Sequence, residues 1–180
     1  MEGEDNIVAA LERNDRVCQV KIMDVPSRQL EIIAAAMPEP FPALTHLHIG
    51  TYDRWVILPS AFLGGSAPRL RSLYLAGIPF PALPKLLLSA TGLVYLGLWG
   101  IPPPSGYISP GAMVACLSAM ARLETLHLGF RSPRSVPDLI NRRPPPLRRT
   151  VLPALTELKR GERVLGEPPL QNRYPSTQHR

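Results

Sequence analysis

The chain has 180 residues, of which 45% are apolar and 19% are charged. That balance is typical of one globular domain with a sizeable core, and it excludes an intrinsically disordered chain. The net charge of +6 is unevenly placed, because residues 131–180 hold 11 Lys and Arg against 4 Asp and Glu, while residues 1–130 hold 9 against 10. A basic region confined to one end argues against a nucleic-acid-binding face spread over the folded body.

The first elements are a helix, a strand and a second helix. Residues 1–16 are predicted to form an N-terminal helix and cap, with helical spacing of apolar residues in NIVAAL. The run VCQVKI (17–22) alternates with the period of a half-buried strand. Ser27 is a candidate N-cap for a helix that continues to Met37 and is stopped by Pro38.

The same cycle then returns along the chain. Strands are predicted at 44–49, 70–75, 93–98, 123–128 and 155–159, and the clearest copy is LVYLGL (93–98). Helical segments are predicted between them at PSAFL, closed by Gly64 and Gly65, at LPKLLLSA, and at GAMVACLSAM with Ser109 as N-cap. Every strand carries the pattern L-x-x-L-x-L or a close variant of it.

The period of this pattern indicates the fold. The leading apolar positions are separated by 27, 26, 23, 30 and 32 residues and are Val17, Leu44, Leu70, Leu93, Leu123 and Leu155. A leucine-rich repeat has a unit of roughly 20–29 residues with one strand and one helical turn. We therefore predict an α/β leucine-rich-repeat solenoid over 17–160, with a curved parallel sheet on the concave side, short helices on the convex side, and an unstructured basic tail at 161–180.

The cysteines and the apolar stretches bear on the compartment. Cys18 and Cys116 have no metal-ligand or redox spacing, so both are expected to be reduced and to act as small core residues. Residues 86–121 carry no charge, but the best apolar part, 86–101, is shorter than the span of about 20 residues that a membrane helix needs. We expect no membrane partner and a cytoplasmic and/or nuclear location.

No constellation in the sequence predicts catalysis. There is no nucleophile elbow, no phosphate-binding glycine loop and no pair of acids with useful spacing, so we expect no enzyme activity and no cofactor. His46 and His48 could hold a metal ion weakly, but His127 lies three repeats away, roughly 14 Å at the spacing of adjacent strands, so no metal site is predicted.

The strongest candidate surface is the concave face of the sheet. Alternate strand positions that point away from the leucines are rich in histidine and aromatic residues, which suit an exposed strand and also anchor protein interfaces. Curved repeat sheets are extended binding surfaces, and this favours a target protein as the partner. The predicted partner-binding residues are His46, His48, Tyr74, Tyr95, Trp99 and His127.

The connection RRPPPLRR (142–149) is interpreted as a stiff, solvated loop. It fails the P-x-x-P spacing of a ligand for SH3-type domains, because position 147 is leucine. A nuclear-import or nucleic-acid patch is the other reading of its arginines.

The chain also resembles a known family. The runs MPEPFPALTHLHI, LPSAFLGGSAPRLRSLYLAGIPFPALPKLLLSATGLVYLGLW and PPSGYISPGAMVACLSAMARLETLHLGF resemble the leucine-rich-repeat part of F-box proteins from basidiomycete fungi. The resemblance covers roughly residues 5–158. It implies a role in recruiting substrate proteins to a Skp–cullin–F-box ubiquitin ligase, in which the F-box binds the Skp-type adaptor.

The expected function is therefore a non-catalytic protein–protein interaction. No F-box is recognisable before the repeats, so a Skp-type adaptor is expected as a partner only if an F-box is supplied elsewhere. One alternative is a scaffold, or a truncated or decoy repeat protein, without a ligase link. The other is a weak nucleic-acid binder that uses the basic segment 131–180.

Overall fold

Six strands form one open sheet in which every neighbouring pair is parallel and the order is β1-β2-β3-β4-β5-β6. The strands are Gln19–Met23 (β1), His46–Gly50 (β2), Ser72–Ala76 (β3), Tyr95–Ile101 (β4), Thr125–Phe130 (β5) and Glu157–Arg160 (β6). The chain is therefore an α/β protein in which each strand adds to the edge left by the previous one. This sequential order is compatible with a solenoid.

Helical segments supply the crossovers that parallel neighbours require. They are Glu2–Leu11 (α1), Ser27–Ala35 (α2), the 3₁₀ turn Phe62–Gly65, Leu83–Ser89 (α3) and Pro110–Ser118 (α4). The structure, a computed structural model, describes residues 2–51, 56–101, 108–130 and 150–161. The predicted loop 142–149 and the predicted tail beyond Gly161 lie outside these ranges. No helix among the described residues is both long and apolar enough to cross a membrane.

The leucines of the repeated pattern form stacked columns in the core. Leu47, Leu73 and Leu96 pair in register and are each 0% exposed. Ile49, Leu75 and Leu98 form the next column, and the buried helix residues join the same cluster. Burying one such side chain stabilises the fold by roughly 1.5–3 kcal/mol, so each layer depends on the layers beside it.

The strands begin about two residues later than the pattern predicts. Each leading leucine lies in a turn, where its amide donates to the residue three positions earlier, as from Leu44 to the Phe41 carbonyl at 3.1 Å and from Leu93 to the Ala90 carbonyl at 3.1 Å. Four of these leucines, Leu44, Leu70, Leu93 and Leu123, are 0% exposed, yet none of them is part of the ladder. Hydrophobic spacing could not separate the turn from the strand, because both positions face the core.

The helix ends illustrate what short motifs predict. Ser109 is the N-cap of α4, and its hydroxyl accepts a hydrogen bond from the amide of Ala112 at 3.2 Å. Gly64 and Gly65 have φ of +59° and +69°, which glycine adopts without steric cost. The prediction for Ser27 was wrong: Ser27 is the first residue of α2, and Pro26 is the N-cap, because the Pro26 carbonyl accepts the first helical hydrogen bond, from the amide of Leu30 at 3.1 Å.

The two cysteines have different surroundings. Cys116 is buried, and its thiol donates to the carbonyl of Pro84 at 3.6 Å. Cys18 is exposed, so the prediction that it belongs to the core was wrong. It precedes β1 at the position that Arg71 and Glu124 occupy in later repeats, and both of those residues are exposed.

Candidate protein-binding face

One face of the sheet carries no buried side chain from the described helices, whose buried residues all belong to the leucine core. We call it the open face. Two registered rows of side chains define it, together with Trp99. The first row is Gln19, His46, Ser72, Tyr95, Thr125 and Glu157, and the second is Lys21, His48, Tyr74, Gly97, His127 and Lys159.

Five ring side chains form a continuous row across the open face. Ring centroids lie 6.0 Å apart for Tyr74 and His48 and 6.3 Å apart for His48 and Tyr95. The row continues from Tyr95 to His127 at 5.3 Å and from His127 to Trp99 at 6.2 Å. All five side chains are partly exposed, so the row is half-embedded in the sheet surface. We call these five residues the ring row.

Gly97 makes room for the ring row. A Cβ at this position would lie 2.6 Å from Cδ2 of Tyr74 and 3.0 Å from the hydroxyl oxygen of Tyr95. Both tyrosine rings therefore lean over the bare backbone of β4. The centre of the ring row therefore packs on the backbone of β4, and this packing requires that position 97 has no side chain.

Trp99 lies against glycine backbone in the same manner. A Cβ on Gly129 would meet Cε3 of Trp99, and a Cβ on Gly161 would lie 3.0 Å from Cζ3 of the same ring. Gly129 is the partner of Trp99 in the register of β4 and β5. The indole is thus supported by two glycines and the edge of His127, which fixes one end of the ring row.

His127 is held between a phenol and a carboxylate. The Tyr95 hydroxyl oxygen lies 3.2 Å from Nδ1, and Oε1 of Glu157 lies 3.6 Å from Nε2. In the tautomer with its proton on Nε2, the nitrogen that faces Glu157, the Tyr95 hydroxyl donates to Nδ1. Burial, with Lys159 nearby, lowers the pKa of His127 in spite of Glu157. Lys159 also lowers the pKa of Glu157 by hydrogen bonding to it.

His48 is the more strongly perturbed of the two histidines. Its Nε2 lies 2.8 Å from the hydroxyl oxygen of Ser72 on the neighbouring strand. Burial, followed by the nearby His46 and Lys21, lowers its pKa to about 4. The imidazole is therefore neutral near pH 7, and the centre of the open face is polar and aromatic without a formal charge.

The structure brings together five of the six residues that the sequence singles out. His46 lies on the same face, but its Nδ1 is 2.9 Å from the hydroxyl oxygen of Thr45 and it is outside the ring row. Sequence reasoning missed Ser72, Glu157 and Gly97 as residues that position the rings. Their places in the two rows were the available signal, because alternate residues of registered strands share one face.

The arrangement offers a shaped surface with hydrogen-bonding groups at the edges of the rings. Within the described residues, no three His, Cys, Asp or Glu side chains are grouped so that they could hold a metal ion. His46 and His127 lie on β2 and β5, three strand spacings apart. Half-buried aromatic rings with polar atoms at their edges are typical of protein-binding surfaces.

Comparison with protein-family models, with curated proteins and with solved structures finds no match to this chain.

Proposed function

We propose that the chain is a leucine-rich-repeat solenoid that binds another protein on its open face and is not itself an enzyme. The observation that carries the proposal is the ring row, in which His48 and His127 connect Tyr74, Tyr95 and Trp99 on one sheet surface. Tyrosine and tryptophan supply a large contact area at low conformational cost and dominate the binding energy of many interfaces.

The repeat assignment is supported by a backbone contact that recurs between every pair of neighbouring strands. The carbonyl of one residue before each strand accepts hydrogen bonds from two successive amides of the next repeat. Arg71, for example, accepts from Val94 at 2.8 Å and from Tyr95 at 3.0 Å. The other four carbonyls that do the same belong to Cys18, Thr45, Val94 and Glu124. Such nearest-neighbour contacts are typical of stacked repeats.

The size of the open face suits a protein partner. Six strands give five spacings of about 4.8 Å, so the face is roughly 24 Å across. A standard interface covers about 800 Å² on each partner, which is a patch of similar width. The positive residues Lys21 and Lys159 lie at the two ends of the second row, and the centre between them is uncharged near pH 7.

We further propose that the partner is a substrate recruited to a Skp–cullin–F-box ligase, on the basis of the family resemblance. This role requires an F-box, either in the same polypeptide or supplied by another. Co-purification of a Skp-type adaptor with the chain would support the ligase role. A repeat scaffold or decoy would bind its partner in the absence of any such adaptor.

The test is affinity purification from the source organism with quantitative mass spectrometry. The wild type is compared with Tyr74→Ala/Tyr95→Ala/Trp99→Ala and with the matched control Ile32→Ala/Leu88→Ala, which removes exposed apolar side chains from α2 and α3. We expect a partner that the control retains and the triple variant loses. Circular dichroism of each variant checks that the sheet is intact.

A second variant is needed in case the three alanine substitutions unfold the sheet. Tyr74→Lys places one charge on the open face and leaves the support of Trp99 unchanged. Retention of every partner by both the folded triple variant and Tyr74→Lys would rule out the open face as the binding surface.

A further inference from the structure

A second surface lies at the end of the sheet where strands β3 to β5 begin, that is, at their amino-terminal ends. It is an open depression of about 400 Å³ lined by Thr45, Pro68, Arg69, Arg71, Gly92 and Arg122. We call it the arginine notch. Its residues flank the leading leucines, so they are separate from the ring row.

The repeat geometry places these arginines at the same end of the sheet, just before the strands begin. Arg69, Gly92 and Arg122 each come directly before the leading leucine of successive repeats. Arg69 and Arg122 are thus two repeats apart, about 10 Å at the spacing of parallel strands. Gly92 occupies the repeat between them, and a Cβ there would meet nothing within 4 Å. The depression exists because the middle repeat has no side chain.

The charges of the notch are unbalanced. Arg69, Arg71 and Arg122 are all exposed, and none of them forms an ion pair with any carboxylate of the described residues. Guanidinium groups stay protonated at every physiological pH. Glu124 follows Arg122 by two residues in the same repeat and directly precedes β5, but it is not among the residues that line the notch.

We infer that the arginine notch binds a phosphate-class oxyanion, either free or attached to a larger molecule. Guanidinium forks match phosphate oxygens and form short, charge-assisted hydrogen bonds with them. A single carboxylate would balance one of the three positive charges, whereas a phosphate monoester or pyrophosphate carries more than one negative charge. The notch opens to solvent at the amino-terminal ends of the strands, so a phosphate on a side chain or a ligand can enter it.

Titration calorimetry at low ionic strength tests the inference, with pyrophosphate as the probe. We expect wild-type binding to weaken about tenfold in Arg71→Gln and in Arg122→Gln, since each removes a charge-assisted contact. The matched control is Arg28→Gln, which removes an exposed arginine from α2 and changes the net charge by the same amount. Equal loss in this control would show diffuse electrostatic attraction and overturn the inference.

Gly92→Leu gives an independent test without a change of charge. The side chain fills the depression between the arginines, and the open space around Gly92 makes the substitution compatible with folding. We expect loss of pyrophosphate binding at unchanged thermal stability. Undiminished binding by this variant would also overturn the inference.

A short phosphoserine peptide and its unmodified form distinguish the two sources of the phosphate group. Tighter binding of the phosphopeptide than of pyrophosphate would assign the notch to an attached phosphate, and the reverse would assign it to a free one. If neither probe binds the wild type, the inference fails. The open-face variant Tyr74→Lys should bind pyrophosphate normally, so this test is independent of the proposed function.

Discussion

Tyr95 and His127 meet diagonally across strands β4 and β5, with the phenol oxygen 3.2 Å from Nδ1 of the imidazole. The residue directly opposite His127 in the register is Gly97. Because Gly97 has no side chain, the phenol of Tyr95 can cross that position and reach the imidazole. One hydrogen bond and one glycine therefore set the position of Tyr95 against His127 in the ring row.

Replacing Gly97 by alanine should disrupt this geometry. The new Cβ would lie 2.6 Å from Cδ2 of Tyr74, so one or both tyrosine rings must move. We expect a loss of about 1–3 kcal/mol in the free energy of unfolding, the usual cost of overpacking. Urea denaturation measures the loss. Gly111→Ala on α4 is the control, because its Cβ would meet nothing within 4 Å; equal stability of both variants would contradict the packing argument.

The contact between Tyr95 and His127 should appear as an energetic coupling. A double-mutant cycle with Tyr95→Phe and His127→Ala should give a coupling of about 0.5–1.5 kcal/mol, the net contribution of one hydrogen bond. Chemical denaturation of the four proteins supplies the values. Tyr95→Phe combined with Leu88→Ala, which is exposed on α3, should be additive. Additivity in both cycles would mean that the hydrogen bond contributes nothing to stability.

Stability should fall as the solution becomes acidic through the window between pH 6.5 and 4. His48 has its pKa lowered to about 4 by burial, and that of His127 is lowered for the same reason. The unfolded chain binds protons near pH 6.5 that the folded chain does not bind, so unfolding is favoured as pH falls. Because His48 is partly exposed, its contribution to the change in the free energy of unfolding is limited to about 1–2 kcal/mol.

Urea midpoints between pH 4 and 7.5 measure this dependence. His48→Gln keeps a polar side chain beside Ser72 and removes the titrating group, so the midpoint should change less with pH than in the wild type. His48→Gln/His127→Gln should reduce the slope further. A slope identical to the wild type in the double variant would show that other groups control the acid sensitivity.

The two thiols should react at different rates. Cys18 is exposed, whereas Cys116 is buried and burial raises the pKa of its thiol. Since the thiolate is the reactive form, an alkylating reagent should modify Cys18 first and Cys116 only when the chain unfolds. Mass spectrometry of the native protein follows the reaction with time. Cys18→Ser should abolish the fast modification, and rapid labelling of that variant would contradict the assigned burial.

Replacing equivalent leucines by alanine should lower the free energy of unfolding by different amounts, according to their place in the stack. Leu73 and Leu158 belong to one registered column, but Leu73 is 0% exposed and Leu158 is 63% exposed. We expect Leu73→Ala to cost about 2–5 kcal/mol and Leu158→Ala to cost less than about 0.5 kcal/mol. Thermal denaturation of both variants and of the wild type measures the two losses of stability. A large effect of Leu158→Ala would mean that another layer covers β6 in solution.

Much of the architecture follows from local pattern. The alternation of leucines with polar residues predicts that Leu73, Leu96 and their equivalents share one face, and the register of the sheet pairs these positions on neighbouring strands. Helix and turn residues such as Ser109 and Gly64 also act as their local chemistry predicts. The side-chain period of a strand is two residues, so the sequence alone decides which residues share a face.

The strand limits depend on which backbone groups pair between repeats. The contact of Tyr95 with His127 needs the bare Gly97 backbone, and the low pKa of His48 needs the neighbours that bury it. These properties arise from atoms that are distant in sequence. The sequence determined the faces of the sheet through a local period, whereas the tertiary structure decided the contacts on each face, because contacts depend on the distance between strands.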